Sequence, residues 1–464
     1  MTDPDRNGEL PRRAVVKIGG AAGLGLITSV AGCLGGDSNS GAGGGDASGG
    51  SSSEPLVTDA RIGTGSTELT YWALKPHSHQ VGNESFAKTI ETDFYATWAE
   101  NHPDWTIDFE LQPSYGQLQT KLAQTVAKGN APEISLADSF WVPDFYESLT
   151  PVTDKLPDTD DWFEFVKDGA KHDGEWKTVW QNTDCRALYY RQDLMDEYNS
   201  GDPPKTWDEL IDVGKRIIDG ENMNGFMYNG GRWEGTTFDN LAYYWAQGGE
   251  ILDENREPAL GASENKEKLL NVFKFLKRTV DSGVTPQRVA SIKDYALLSQ
   301  AAMNDETAMF VGGSWQIQTL KDKHDNWENW KVTKIPQIEP DLSSTGAGGW
   351  TQSVFTSEEN LVDAATDFTT MWADKERMAS YCREGGYLPT RPSVYEEFEY
   401  FSEDSYQKTF GTLLEDASAR PGGPVYKTFS SEFQIAAGNV LTGQASAQEA
   451  VDTLVENVLS EHGA

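Results

Sequence analysis

The chain has 464 residues, which is enough for more than one domain with a large core. It has 73 acidic against 38 basic side chains, a formal net charge of -35. This charge excludes nucleic acid as a partner and docking on an anionic membrane through a basic patch, because like charges repel. The acidic residues are spread along the chain and 11% of residues are aromatic, which excludes a disordered protein.

The same charge predicts a salty environment. A soluble fold under strong self-repulsion suits molar salt, where the Debye length is about 3 Å, and halophiles use high net charge. We interpret the chain as haloarchaeal, with an ordinary acidic protein as the alternative. Its cysteines are Cys33, Cys185 and Cys382, without a Cys/His cluster, so neither a metal nor a cofactor is predicted.

The N-terminal segment has the features of an export signal. Arg12 and Arg13 precede the apolar, glycine-rich run 18–32, which is shorter than the roughly 20 residues of a membrane span. Small residues stand directly before Cys33, as in a lipobox. Residues 1–32 are therefore predicted to be a twin-arginine lipoprotein signal, and Cys33 the lipidation site. A buried helix that ends in cysteine, the alternative, does not explain the arginine pair.

Residues 33–65 consist largely of Gly, Ser, Ala and Asp. Such a stretch cannot bury a core and behaves as a flexible coil. Because it follows the predicted lipidated Cys33, we expect a tether. It would hold the protein at the extracellular face of the cytoplasmic membrane by the lipid anchor alone.

The body alternates short apolar runs with amphipathic segments. Strands are predicted at 69–74, 106–111 and 133–137, and helices at 84–101 and 115–128. This βαβαβ order favours parallel, doubly wound α/β sheets. Further amphipathic helices are predicted at 208–219, 266–282 and 447–459.

Several segments match sequence patterns of one family, in the same order. The most specific is 203–210, PPKTWDEL, where the prolines set an extended entry, Thr206 is a candidate N-cap and Glu209 completes a capping box. These segments resemble the extracellular sugar-binding proteins of ABC transporters. Two positions depart from the family pattern, Glu133 in place of Asp and Arg191 in place of Asn. The other matching segments are 115–134, 182–194, 308–315, 385–391 and 443–450.

The resemblance implies two doubly wound α/β lobes joined by hinge crossovers, a type II periplasmic-binding-protein-like fold. The first lobe would comprise 66–184 and 346–386, and the second 187–336 and 393–464. A ligand would bind in the cleft between lobes that close on it. The implied function is capture of a sugar or oligosaccharide outside the cell and its delivery to an ABC permease. The protein would be a monomer and not an enzyme.

The candidate ligand residues follow from the chemistry of a pyranose, which has an apolar face and a rim of hydroxyls. Aromatic plates and fixed carboxylates, amides or guanidinium groups suit it. The resemblance implies ligand contacts for Trp315 and Asp184. Further candidates lie beside glycines, lie at the ends of predicted strands, or have a side chain long enough to reach a ligand in the cleft. They are Trp72, Asp138, Trp141, Trp233, Glu234, Trp350 and Arg391.

Each candidate has an alternative role. The tryptophans could pack in the core, and Asp184 could pair with Arg186 as a hinge carboxylate. Asp138 could cap a helix. Arg391 could reach a ligand hydroxyl or a hinge carboxylate, and we favour the carboxylate.

Other features leave alternatives open. Cys185 and Cys382 could form a disulfide or remain two buried thiols. His77 and His79 could bind a metal, although core or solvated histidines fit better. Asn83 begins a glycosylation sequon of unknown occupancy.

The function also has rivals. A secreted glycoside hydrolase would use paired carboxylates. The same fold could bind glycerol phosphate, a polyamine, a peptide or an anion. A receptor could also pass its ligand to a sensor instead of a permease.

Overall fold

A computed structural model describes residues 55–463. The predicted signal, Cys33 and most of the predicted tether lie outside these residues. In the described part, the strands are β1 (Arg61–Gly63), β2 (Thr67–Leu74), β3 (Trp105–Gln112), β4 (Ile134–Asp138), β5 (Lys171–His172), β6 (Glu175–Trp176), β7 (Val179–Arg191), β8 (Asn224–Met227), β9 (Thr307–Gly313), β10 (Trp330–Thr333), β11 (Thr345–Val354) and β12 (Ala417–Ala419).

Helices cover most of the remaining chain, together with several single 3₁₀ turns. They are α1 (Glu84–Thr89), α2 (Thr97–Asn101), α3 (Tyr115–Val126), α4 (Glu164–Ala170), α5 (Gln192–Tyr198), α6 (Trp207–Gly220), α7 (Glu234–Trp245), α8 (Ser263–Asp281), α9 (Tyr295–Met303), α10 (Gln316–Lys323), α11 (Glu359–Thr370), α12 (Lys375–Gly385), α13 (Pro392–Glu397), α14 (Glu399–Glu403), α15 (Ser405–Leu414), α16 (Gly423–Thr442) and α17 (Ala447–His462).

The main sheet is mixed. Its strand order is β1-β3-β2-β4-β11-β7-β9-β8, with β10 added beside β7 and β12 beside β11. The strands β2, β3 and β4 are parallel, as the βαβαβ pattern predicts, and β8 is parallel to β9. The pairs β1–β3, β4–β11, β7–β11 and β7–β9 are antiparallel, and β12 is parallel to β11.

The 13-residue strand β7 changes partner halfway along its length. Its first half, up to Cys185, pairs with β11. From Arg186 onward it pairs with β9 instead. One continuous strand therefore joins two groups of strands, and Arg186 is the first residue after the change of partner.

The folded body begins before the predicted start at 66. Arg61–Gly63 form β1 and pair with Thr106, Ile107 and Asp108 of β3. Ile62 is wholly buried. Residues 55–65 thus belong at least in part to the packed body instead of the tether.

The sequence predicts most of the early elements within a few residues. The predicted helix 84–101 is one continuous helical stretch, with a π-helical segment Ile90–Ala96 between α1 and α2. The hydroxyl of Thr206 accepts a hydrogen bond from the Glu209 amide, which confirms the predicted N-cap. The carboxylate of Glu209 reaches the amide of Lys205, one residue before the position that a capping box requires.

The helix α7 is buried on nearly all sides, although several of the buried side chains in its first two turns are polar. Thr236, Thr237, Asp239 and Asn240 are each at most 1% exposed. Buried polar groups must be hydrogen-bonded to be tolerated. Their partners lie on other elements, and these contacts build the site described below.

We predict opposite effects for two glycine-to-alanine substitutions. A Cβ at Gly349 of β11 would lie 2.0 Å from the Asn182 carbonyl oxygen of β7. Gly349→Ala should therefore lower the free energy of unfolding by about 3 kcal/mol through overpacking. A Cβ at Gly438 of α16 meets nothing within 4 Å, so Gly438→Ala should stabilise by about 0.5–1 kcal/mol.

Urea denaturation of the two variants and the parent chain measures both effects, as shifts in midpoint at constant slope. Equal stability of Gly349→Ala and the parent would contradict the close approach of β7 and β11.

Candidate functional site

Six charged side chains form two neighbouring sets of ion pairs, Asp184–Arg186–Asp239 and Asp138–Arg420–Glu234. They lie on β4, β7 and α7 and directly after β12. Two of them are arginines in the interior, Arg186 at 2% and Arg420 at 8% exposed. We call the two sets together the ionic spine, and it consists of Asp138, Asp184, Arg186, Glu234, Asp239 and Arg420.

Arg186 uses all three of its guanidinium nitrogens. Its Nε donates to Asp239 at 2.6 Å, its Nη1 to Asp184 at 2.7 Å and its Nη2 to the Tyr295 hydroxyl at 2.8 Å. Burial alone would lower the pKa of Arg186, but Tyr295 and the two carboxylates raise it well above its usual value. The group is therefore a permanent cation.

Asp239 is the buried partner of that cation. Besides Arg186, it accepts hydrogen bonds from Asn229 at 2.6 Å and from Tyr295 at 2.8 Å. Burial raises the pKa of Asp239, and these donors oppose the shift.

Arg420 follows β12 and joins two carboxylates of distant elements. Its Nη2 donates to Asp138, at the end of β4, at 3.0 Å. Its Nη1 donates to Glu234, the first residue of α7, at 3.3 Å. Glu234 also accepts hydrogen bonds from Tyr426 at 2.5 Å and Ser430 at 2.6 Å, both on α16.

The ring of Phe238 separates the two arginines. The guanidinium carbon of Arg186 lies 4.0 Å from the ring centroid and that of Arg420 lies 4.2 Å from it. A Cβ at Gly346 or Gly348 of β11 would approach this ring to 2.7 or 3.0 Å. The glycines therefore leave the space that Phe238 needs.

A first aromatic cluster consists of Tyr115, Trp141 and Trp350. The ring centroids of Tyr115 and Trp141 are 4.7 Å apart, and Trp350 lies 6.0 Å from Tyr115. Trp141 is wholly buried, whereas Tyr115 is 39% exposed and Trp350 is partly exposed. The Tyr115 hydroxyl donates to Asp138 at 3.2 Å, which joins this cluster to the ionic spine.

His77 packs against the first aromatic cluster through its contact with Trp350. Its ring packs against Trp350 at 4.7 Å and Tyr387 at 5.2 Å, and its Nδ1 is 2.8 Å from the Tyr381 hydroxyl. Burial lowers the pKa of His77 to about 3. The ring is therefore neutral at physiological pH.

A second aromatic cluster consists of Trp233, Tyr295 and Trp315. The ring of Tyr295 lies 4.9 Å from Trp233 and 5.0 Å from Trp315, both edge to face. The three rings are partly exposed. Arg186 lies 5.0 Å from the Trp315 ring, so this cluster too is attached to the ionic spine.

Seven of the nine predicted ligand residues belong to this network of the ionic spine and the two clusters. They are Asp138, Trp141, Asp184, Trp233, Glu234, Trp315 and Trp350.

Asp184 and Asp138 also have the structural roles that the sequence predicts as alternatives to ligand binding. Asp184 pairs with Arg186, and Asp138 accepts from the Phe140 amide as an N-cap.

The other two predicted residues have separate partners. Lys121 covers the face of Trp72, with its Nζ 3.7 Å from the ring centroid, and Trp72 is only 6% exposed. Arg391 is 1% exposed and donates to Asp161 at 2.8 Å and to Asp158 at 3.0 Å. Arg391 thus bonds carboxylates, the alternative favoured from the sequence.

The remaining open questions concern cysteines, histidines and the sequon. Cys185 and Cys382 are separate, buried, free thiols. Within residues 55–463, no group of His, Cys, Asp and Glu has the arrangement of a metal site. Asn83 is exposed and caps α1 by accepting from the Phe86 amide.

Sequence reasoning missed several members of the network. Tyr115 begins the matching segment 115–134 and Tyr295 begins a helix, but no local feature marks either tyrosine as a site residue. Asp239 lies within an ordinary helical pattern. Arg420 had one usable signal, because it is a basic residue beside the glycine-proline segment 421–424 of an acidic chain.

Two surface cavities of about 790 Å³ lie away from this network. One is lined by residues that include Gly129, Thr150 and Phe355, and the other by residues that include Pro203 and Lys408. Neither is lined by a tryptophan or by a predicted ligand residue.

The family of the chain is established by comparison. Residues 93–409 match the family described as bacterial extracellular solute-binding protein. The match covers more than half of the chain, which therefore belongs to this family. The chain is thus an extracellular solute-binding protein, and the family is not enzymatic. Within the described residues, we find no helix with the length and apolar character that a membrane crossing requires.

Relatives and solved structures agree with this assignment. A probable ABC transporter-binding protein of Deinococcus radiodurans is 23% identical over 282 residues, 59% of this chain and just under two thirds (66%) of that protein. A maltotriose-binding protein of Pyrococcus abyssi is 23% identical over 371 residues, 78% of this chain and 74% of that protein.

Solved structures share the fold. Maltose-bound MalE3 of T. maritima superposes with a TM-score of 0.71 at 20% identity, over 85% of this chain and 100% of that one. The sugar-binding protein MalE of Xanthomonas citri gives a TM-score of 0.71 at 21% identity, over 85% and 98%. The chain thus has the mixed α/β fold of periplasmic binding proteins.

We predict that His77 makes the protein sensitive to acid. The pKa of His77 is about 6.5 in an unfolded chain and about 3 in the fold. Between pH 6.5 and pH 3 the unfolded state therefore binds one proton at this imidazole that the folded state does not. The contribution of His77 to stability is complete above pH 6.5 and falls by up to about 1.4 kcal/mol per pH unit as the pH drops towards 3. His77→Gln removes this dependence.

Denaturant titrations of His77→Gln and the parent at pH 6, 5 and 4 measure the difference in slope. Parallel curves for the two proteins would show that His77 does not stay neutral in the fold.

Proposed function

We propose that this protein is the binding component of an ABC transporter and captures a sugar or oligosaccharide outside the cell. The observation that supports this most is the pairing of two partly exposed aromatic clusters with the carboxylates of the ionic spine. Rings fit the apolar face of a pyranose, and fixed carboxylates accept hydrogen bonds from its hydroxyls.

The names of the relatives favour the same cargo. The Pyrococcus relative is named for maltotriose, and another relative, of Bacillus subtilis, is a galactooligosaccharide-binding protein, 21% identical over 282 residues. Because identities are this low, they support the class of ligand and not a particular sugar. Delivery to a permease is proposed on the same basis.

We propose that the two groups of strands joined by β7 are the cores of two lobes, with the ligand between them. The lobes are those expected from the sequence, 66–184 with 346–386 and 187–336 with 393–464, except that β1 adds residues at the start. The change of partner at Arg186 supports a hinge there, since a strand that pairs with different neighbours along its two halves can bend between them without breaking either pairing.

In this proposal the exposed rings touch the ligand, and the buried residues position them. Trp315, Trp233 and Trp350 are the proposed stacking residues, with Asp184 and Glu234 as acceptors for hydroxyls. Asp138 and Trp141 would act through their neighbours in the network because they are buried. Trp72 and Arg391 are buried with partners outside the network and are not proposed to touch the ligand.

We also propose that the mature protein is a haloarchaeal lipoprotein anchored through Cys33 after twin-arginine export. The support is the arginine pair, the apolar run and the small residues before Cys33, together with the net charge of -35. Mass spectrometry of membrane-bound protein tests the lipidation, which should be absent in Cys33→Ser.

Binding is tested by thermal shift and calorimetry against neutral mono- and oligosaccharides. A ligand at 100 times its dissociation constant should add about 2.7 kcal/mol of stability. Trp315→Ala should weaken the best ligand about tenfold or more, the effect of losing roughly 1.4 kcal/mol of stacking, without unfolding the protein.

The matched control is Trp327→Ala, because Trp327 is also partly exposed but packs near Lys321 and Tyr406, outside the network. It should leave the affinity unchanged. Equal affinities of the Trp315→Ala variant and the parent would remove Trp315 from the site. If no sugar stabilises the protein, the proposed cargo is wrong.

A further inference from the structure

We propose that the site selects uncharged polyhydroxyl solutes and rejects anionic ones, such as sugar phosphates and uronic acids. Asp184 and Glu234 would be the residues that set this specificity. The inference rests on the proposed function, which it narrows from sugars in general to sugars without a negative charge. It follows from which hydrogen-bonding groups of the network are already occupied.

The arginines of the network, which an anion would need, already have partners. Each of the three nitrogens of Arg186 donates to a protein group at 2.6–2.8 Å. Both terminal nitrogens of Arg420 donate to carboxylates, and its Nε has no hydrogen-bond partner within the described residues but is buried out of reach of solvent. An incoming phosphate or carboxylate would have to displace one of these carboxylates.

The lysines on the neighbouring helices are also engaged. Lys121 of α3 pairs with Glu110 at 3.0 Å, and Lys427 of α16 pairs with Asp144. Arg256, which approaches the residue after Arg420, donates to the Pro421 carbonyl at 2.7 Å. These three basic side chains therefore serve the fold.

The carboxylates, in contrast, retain accessible acceptor capacity. The side chain of Asp184 is 22% exposed, and that of Glu234 is 30% exposed. Asp184 pairs with the guanidinium that lies over Trp315, and Glu234 follows Trp233 in the chain. A carboxylate is an acceptor only, so the groups beside the second aromatic cluster require a ligand that donates.

The charges of the spine point to the same ligand class. Four carboxylates surround two arginines, so the spine retains two negative charges. Placing a like charge beside a partly buried carboxylate in a closed site weakens binding by about a hundredfold or more. Hydroxyls avoid this repulsion and satisfy the acceptors.

The experiment uses the full chain and matched pairs of ligands. Maltotriose, cellotriose and galactotriose are the neutral probes, and each is compared with the form in which one CH₂OH group is oxidised to a carboxylate. Calorimetry gives the ratio of the two dissociation constants. We expect the neutral form to bind at least about a hundredfold more tightly.

Asp184→Asn should reduce that ratio by about tenfold, because it removes one accessible charge and keeps the size of the side chain. The control is Asp305→Asn, since Arg191 is likewise flanked by two aspartates, Asp193 and Asp305, at another place on the surface. Asp305 has a positive φ of 55°, which Asn tolerates. This control changes the net charge equally and should leave the ratio unchanged.

Glu234→Gln is a second test of the same idea, for use if Asp184→Asn does not fold, as judged by circular dichroism. Equal binding of a neutral probe and its oxidised form would overturn the inference and leave the proposed function intact. An equal effect of Asp184→Asn and Asp305→Asn would also overturn it, because net charge would then set the ratio. Failure of every neutral probe to bind would count against the proposed function itself.

Discussion

The burial of two arginines on either side of Phe238 is the constraint on which the rest of the site depends. An uncompensated charge in a protein interior is very costly, so each guanidinium needs carboxylates in fixed positions. These carboxylates come from β4, β7 and α7, which are far apart in the chain. Meeting this requirement brings the end of β4, the middle of β7 and the start of α7 to one place. The small residues Gly346 and Gly348 then leave room for the ring between the two charges.

The aromatic clusters take their positions from these ion pairs. Asp138 holds Tyr115 by a hydrogen bond, and Arg186 holds Tyr295, so each cluster has one tyrosine fixed to the ionic spine. The tryptophans then pack against these tyrosines, and Trp233, Trp315 and Trp350 keep part of their rings exposed. A rigid, partly exposed ring beside a fixed acceptor needs little reorganisation when a ligand binds, which reduces the entropic cost of binding. The same contacts stabilise the fold and prepare the site.

The sequence was sufficient for features that depend on local pattern. The strand at 69–74, the helix at 115–128 and the Thr206 cap follow from periodicity and capping chemistry, and the structure confirms them. It was not sufficient where partners converge from distant segments. Nothing near Tyr295, Asp239 or Arg420 indicates that they meet, because their contacts arise only after the sheet has formed. A position near a predicted strand end could not show that Trp141 is wholly buried or that Lys121 covers the ring of Trp72. Burial in the 55–65 segment depends on pairing with β3.

A crystal structure of the protein with a bound neutral oligosaccharide tests the central claim most directly. The account predicts a sugar ring stacked on Trp315, with hydroxyls donating to Asp184 and Glu234 and the first aromatic cluster on its other side. It also predicts that Arg186 and Arg420 keep their protein carboxylates in the complex. A sugar seated elsewhere, such as in the cavity beside Pro203 and Lys408, with the ionic spine and both clusters untouched, would contradict it.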